Sequence, residues 1–117
     1  MSTPNDCIFC KIAAGQIPAN IVYQDEQVIA FRDLTPVAPV HILTIPKKHI
    51  DRLSAVEEHD FSLIAHLHKV IQKIAEKEGI SKTGFRLTTN NGGDAGQSVQ
   101  HLHFHLLGGR KLSWPPG

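Results

Sequence analysis

Three histidines alternate with large apolar residues in the stretch His101-Leu102-His103-Phe104-His105-Leu106-Leu107. Imidazole titrates near neutral pH and serves as nucleophile, proton carrier or metal ligand. On an extended strand, side chains point to opposite faces with a period of two. The three imidazoles would then share one face, roughly 6.5–7 Å apart, while Leu102, Phe104 and Leu106 enter a core. A helix would scatter them. The stretch therefore reads as an active-site strand, against the plainer alternative of a solvated polar face. A metal site is a second alternative, because His-x-His on a strand can give two ligands to one zinc. His101 and His105 would stand roughly 13 Å apart, too far to share an ion with bonds of about 2 Å. Nucleophilic catalysis at phosphorus fits better, since neutral imidazole attacks phosphorus and water can discharge the resulting phosphohistidine. Attack through one ring nitrogen needs the other held by an acceptor. His103, flanked on both sides, is the best-placed nucleophile.

Other residues could serve the same chemistry. The loop Asn91-Gly92-Gly93-Asp94-Ala95-Gly96-Gln97-Ser98 lets backbone N–H groups approach a ligand closely, as in a phosphate cradle, although many glycine-rich loops are only turns. Asp33 could accept from both hydroxyls of a ribose, or could close an Asx-turn in its Pro-rich loop. Cys7-x-x-Cys10, the only cysteines, form a candidate metal or redox pair rather than a disulfide framework.

The elements that must position these groups follow from periodicity. Residues 7–14 carry Ile8, Phe9, Ile12 and Ala13 in a helical pattern that stops at Gly15. Ile21-Val22-Tyr23 and Val28-Ile29-Ala30-Phe31, joined by Gln24-Asp25-Glu26, predict an antiparallel hairpin. After a loop stiffened by Pro36 and Pro39, His41–Ile45 forms the third strand, stopped by Pro46, with His41, Leu43 and Ile45 on one face. Ser54-Ala-Val-Glu57 has the form of a capping box. A helix is expected from about Asp60 to Glu78, burying Phe61, Ile64, Leu67, Ile71 and Ile74 and ending at Gly79. Phe85–Asn90 is the fourth strand and the histidine stretch the fifth. His59, His66 and His68 read as surface residues, and the tail ending Trp114-Pro115-Pro116-Gly117 as irregular. The expected architecture is α+β: one domain over 1–117, a five-stranded mainly antiparallel sheet, one long helix and a short N-terminal one.

Bulk properties narrow the partners. The chain has 117 residues, 41% hydrophobic and 20% charged, with a net charge of +1 when histidines are neutral. No general basic field draws in nucleic acid or an anionic membrane, so a phosphate-bearing partner needs a local site. No run approaches a membrane span, and the first six residues have neither the basic start nor the apolar stretch of a signal peptide. A cytoplasmic location is expected.

His-Leu-His-Phe-His-Leu-Leu resembles the His-x-His-x-His-x-x signature, with x apolar, of the histidine triad family of nucleotide hydrolases and transferases. Gly108-Gly109-Arg110, the Trp-Pro-Pro-Gly end, Ile45-Pro46-Lys47-Lys48-His49 and Gly96-Gln97-Ser98-Val99 resemble its Hint branch, over nearly the whole chain. The resemblance implies purine nucleoside phosphoramidase activity, with His103 the nucleophile, His105 on the phosphate, and His41 and His101 in the polar surround. It implies Asp33 and Leu34 at the ribose, Phe9 and Phe31 near the base, and Asn90, Gly96, Gln97 and Ser98 around the phosphate and leaving group. Ser98 would donate toward the departing nitrogen. No cofactor is implied for catalysis. Family members that carry the cysteine pair imply a structural zinc held by Cys7, Cys10, His49 and His101, and the family implies a homodimer whose Trp114 tail reaches the partner's site. A dinucleoside polyphosphate hydrolase or nucleotidyltransferase of the same superfamily, and a nucleotide-binding regulatory protein with vestigial activity, are the alternatives.

Overall fold

The run Val28-Ile29-Ala30-Phe31 is apolar at every position, a pattern that belongs to a strand covered on both faces. In the computed structural model, which describes residues 6–117, these residues form strand β2 (Val28–Arg32), and its first four are buried. The expectation concerning a signal peptide falls largely on residues 1–5, outside the described residues. Strands β1 (Ile21–Gln24), β3 (Val40–Pro46), β4 (Phe85–Thr88) and β5 (Phe104–Gly108) complete a five-stranded sheet in the order β1-β2-β3-β5-β4. Every neighbouring pair is antiparallel. This is the α+β architecture expected.

Helix α2 (Phe61–Lys77) covers one face of the sheet. Leu63, Leu67, Val70, Ile71 and Ile74 pack there with Val28, Ala30, Val40, Ile42, Leu102 and Leu106. The short helix α1 (Ile8–Ala13) covers part of the opposite face, where Phe9 and Ile12 meet Ile29, Phe31, Leu43 and Ile45. Because β3 alternates between these two clusters, all seven of its residues are buried. Asp25 ties the β1–β2 turn to α2. Its carboxylate accepts from the backbone N–H groups of Gln27 and Val28, from the Tyr23 hydroxyl at 2.6 Å and from His66 Nε2 at 2.6 Å.

Several local expectations are corrected. Ser54 caps nothing: it lies inside a 3₁₀ turn, Leu53–Ala55, and its N–H donates to Asn91 Oδ1 at 2.8 Å. The capping box is formed instead by Glu57 and Asp60, at the 3₁₀ turn that leads into α2. Phe61 is exposed and the buried stripe begins at Leu63, two positions further round the helix. After Gly79, whose φ of 77° ends α2, a further short helix α3 (Ile80–Thr83) buries Ile80. A lone turn of this kind has no periodicity to detect. Strand β4 ends at Thr88, and β5 begins only at Phe104, so His101, Leu102 and His103 precede the ladder. At the far end of β5, a Cβ on Gly109 (φ +90°) would stand 2.9 Å from Pro39 Cβ, which leaves room only for glycine.

Candidate active site

The alternation of the histidine stretch survives its late entry into the sheet. Leu102 and Leu106 are buried on the α2 side, while the rings of His101 and His103 meet Phe9 of α1 on the other. His103 and His105 are closer than a flat strand would set them, with ring centroids 5.1 Å apart. A fourth imidazole joins from β3. In the β3–β5 register His41 faces Leu107 and Leu43 faces His105, so His41 and His105 are diagonal neighbours on one face. Their rings are 5.2 Å apart and His41 Nε2 lies 2.9 Å from His105 Nδ1.

Hydrogen-bond partners assign the protons. The Val37 N–H donates to His41 Nδ1 at 3.2 Å, so a neutral His41 carries its proton on Nε2 and donates it to His105 Nδ1. His105 must then carry its own proton on Nε2. His103 is held differently: its Nδ1–H donates to the His101 carbonyl at 2.7 Å, which leaves the unshared pair on Nε2. The row therefore presents one nucleophilic nitrogen and, beside it, one N–H donor. Burial pushes the His105 imidazole down to about 4, with His103 and His41 adding to the effect and Asp33 opposing it. Burial likewise lowers His41, again against the pull of Asp33. Both rings are neutral at physiological pH, which keeps this proton arrangement intact.

Of the two readings of Asp33, the Asx-turn is the one formed within the chain. Oδ1 accepts from the Thr35 N–H at 2.8 Å and from its hydroxyl, closing the Asx-turn, while Oδ2 lies 3.4 Å from His41 Nε2. Asp33 and Leu34 also line a cavity of about 190 Å³ whose other walls include Phe9, Phe31, Leu43, Ile12 and Ile17. A mostly apolar lining that includes one carboxylate suits a flat apolar ring carrying hydroxyls at its edge. Ile12, Ile17 and Leu43 went unnoticed as pocket residues because an apolar side chain on an element reads only as core.

The glycine-rich loop is shaped by one of its own candidates. Gln97 Oε1 accepts from the Gly92 N–H at 2.8 Å, and Gln97 Nε2 donates to the carbonyls of Asp51 and Val99. Its side chain thus holds the loop. Gly96 has a φ of 78°, Asn90 is half-buried and Ser98 exposed. Sequence reasoning missed Thr89, whose hydroxyl donates to the His103 carbonyl at 2.8 Å.

The cysteine pair has found two of the histidines. Cys7 Sγ is 3.3 Å from His101 Nδ1, Cys10 Sγ is 3.2 Å from His49 Nδ1 and 3.5 Å from His101 Nδ1. All four ligand atoms lie within 4.8 Å of one another. Each imidazole is fixed from behind: His101 Nε2–H donates to the Pro46 carbonyl at 2.8 Å and His49 Nε2–H to Asp51 Oδ1 at 2.9 Å. Both Nδ1 atoms therefore point unshared pairs at the sulfurs, as the outer partners of metal-bound histidines do. Burial and the neighbouring Cys7 push the Cys10 thiol up to about 11. Two cysteine sulfurs facing two imidazole lone pairs are a donor set that fits a zinc ion, whose charge favours the thiolate form of its ligands. The site meets the fit in donor type, number and proximity.

Residues 14–112 match the family model of the HIT domain. The chain belongs to the HIT family. An uncharacterized HIT-like protein from Synechocystis is 51% identical over 112 residues, covering 96% of this chain and 97% of that protein. Among solved structures, a HIT family hydrolase from Legionella pneumophila is 50% identical with a TM-score of 0.93, covering 95% of this chain and 99% of that one. A histidine triad protein from Clostridium difficile is 51% identical with a TM-score of 0.90 over 97% of each chain. The HIT match takes in the histidine row, His41, Asp33 and the glycine-rich loop, but begins after the cysteine pair. HIT membership thus bears on the histidine cluster, and the metal cluster rests on its own geometry.

Proposed function

We propose that the protein hydrolyses the P–N bond of purine nucleoside 5′-phosphoramidates, such as adenosine 5′-phosphoramidate or an AMP–lysine adduct. One observation carries the reading: His103 Nδ1–H is held by the His101 carbonyl, so the Nε2 pair is directed outward beside the His105 Nε2–H donor. The relatives described as HIT family hydrolases agree with it. The His103 Nε2 pair bonds to phosphorus as the P–N bond breaks, and the departing amine takes a proton through the Ser98 hydroxyl. The His101 carbonyl stabilises the positive ring that results, and His105 Nε2–H donates to a phosphoryl oxygen. Water then adds to phosphorus, the electron pair of the phosphorus–His103 bond returns to the ring, and the proton released restores Ser98. Asp33 and Leu34 hold the ribose, with Phe9 and Phe31 against the base. Asn90, Gly96 and the backbone of Gln97 surround the phosphate. Cys7, Cys10, His49 and His101 would hold a zinc ion, which would supply a structural crosslink. The exposed Trp114 and the exposed Phe85 on edge strand β4 favour a homodimer in which the tail approaches the partner's site.

Release of AMP from adenosine 5′-phosphoramidate tests the proposal, with His103→Ala expected to lose about a thousandfold or more. Turnover no faster than that variant would overturn the enzyme reading and leave a nucleotide-binding protein. Faster cleavage of a dinucleoside polyphosphate would overturn the substrate class. Sedimentation as a monomer at micromolar concentration would remove the dimer.

A further inference from the structure

The metal cluster and the nucleoside pocket share one helix. Helix α1 has six residues, too few to be stable alone. Cys7 is its N-cap, with Sγ accepting from the Cys10 N–H at 3.3 Å, and Cys10 lies in its first turn. Phe9 sits between the two cysteines, and its ring meets Phe31 at 5.6 Å and His103 at 5.1 Å. Ile8, Phe9 and Ile12 together form the α1 side of the 190 Å³ cavity. The opposing half of the cluster stands on the sheet side, since His101 is pinned to the Pro46 carbonyl independently of the cysteines. A cation that held the sulfurs against the imidazoles would therefore fix α1, and Phe9 with it, beside the cavity, while the His101 carbonyl that orients His103 is held from the sheet side.

We infer that occupation of the Cys7–Cys10–His49–His101 site by a thiophilic divalent cation sets the affinity of the adjoining pocket for its nucleoside, with Cys7 and Cys10 acting as positioning residues for Phe9. The inference rests on the reading of that pocket as the nucleoside site. Without the cation, α1 is held by sulfur–imidazole hydrogen bonds and by the packing of Cys7, Phe9 and Ile12 against the sheet. The helix then opens locally more often than the sheet beneath it. Losing a well-placed aromatic wall weakens nucleoside binding by roughly tenfold. The turnover rate should change little, because the His103 tautomer is held by the His101 carbonyl, which is not part of α1.

The test compares zinc-loaded protein, chelator-stripped reduced protein and Cys10→Ser. Amide hydrogen exchange is read at residues 8–13 and in α2, AMP affinity by calorimetry, and kcat and KM separately. The expected result is faster exchange confined to α1, an AMP Kd and a KM each roughly tenfold higher, and kcat within about threefold in the two metal-free forms. A general loss of fold would instead raise exchange in α2 and lower the active fraction, and so would overturn the inference. So would equal α1 protection and equal AMP affinity with and without zinc, or failure to retain stoichiometric zinc. Zinc-dependent protection of α1 with no AMP binding by any form would refute the nucleotide reading and not the coupling of metal to helix.

Discussion

Replacing His105 by Gln puts the neutrality of the histidine pair to the test. In the folded protein its imidazole lies at about 4, against an ordinary value of 6.5. A histidine that is less basic when folded takes up its proton more readily in the unfolded chain, so acid favours unfolding. The stability associated with keeping it neutral is fully present above pH 6.5 and is lost as the pH falls from 6.5 to 4. The full gap corresponds to about 3 kcal/mol at ~1.4 kcal/mol per tenfold. His105 is only half-buried, so water screens part of it, and about 1–2 kcal/mol is the expected loss by pH 4.5. Urea unfolding of both proteins at pH 7 and 4.5, with chelator throughout so that metal release does not contribute, gives the stability difference at each pH. Wild type should lose about 1–2 kcal/mol relative to His105→Gln on going to pH 4.5. A difference that stays constant to within about 0.5 kcal/mol would refute the reasoning. His105 would then not be held neutral, and the proton assignment from Val37 through His41 would fall with it.

Three further outcomes follow from named contacts. Thr44 is fully buried in β3 and its hydroxyl has no hydrogen-bond partner among the described residues, so Thr44→Val should raise stability by about 0.5–1.5 kcal/mol, read as a higher urea midpoint. Gly109→Ala meets both a positive φ and the Pro39 side chain, and should destabilise by about 1–3 kcal/mol, read as a lower Tm; an unchanged Tm would contradict the close approach. Thr89→Val removes the donor to the His103 carbonyl, and kcat/KM should fall by roughly fivefold with the fold unchanged by circular dichroism.

Periodicity made much of this molecule legible. The hairpin, the third strand, the long helix and its stop at Gly79 all follow from spacing and turn residues. So did the separation of Leu102 and Leu106 from the histidines, because strand side chains alternate whatever their partners are. The errors lie where a short pattern has two readings. Ser54-x-x-Glu57 has the capping-box form in sequence, yet Glu57 and Asp60 form the box in the structure. Phe61 fits the helical stripe but is exposed at the start of α2.

Residue types and their local order therefore determined which groups can do chemistry and which face of each element they occupy. They could not determine which histidine meets which partner, since those contacts join residues far apart in the chain. The β3–β5 register brings His41 to His105, the Pro46 carbonyl captures His101, and the docking of α1 sets the cysteines against His49 and His101. Three similar imidazoles thereby come to differ in partner and in which ring nitrogen keeps its unshared pair. Each difference depends on which ring nitrogen finds an acceptor, and tertiary structure supplies the acceptors.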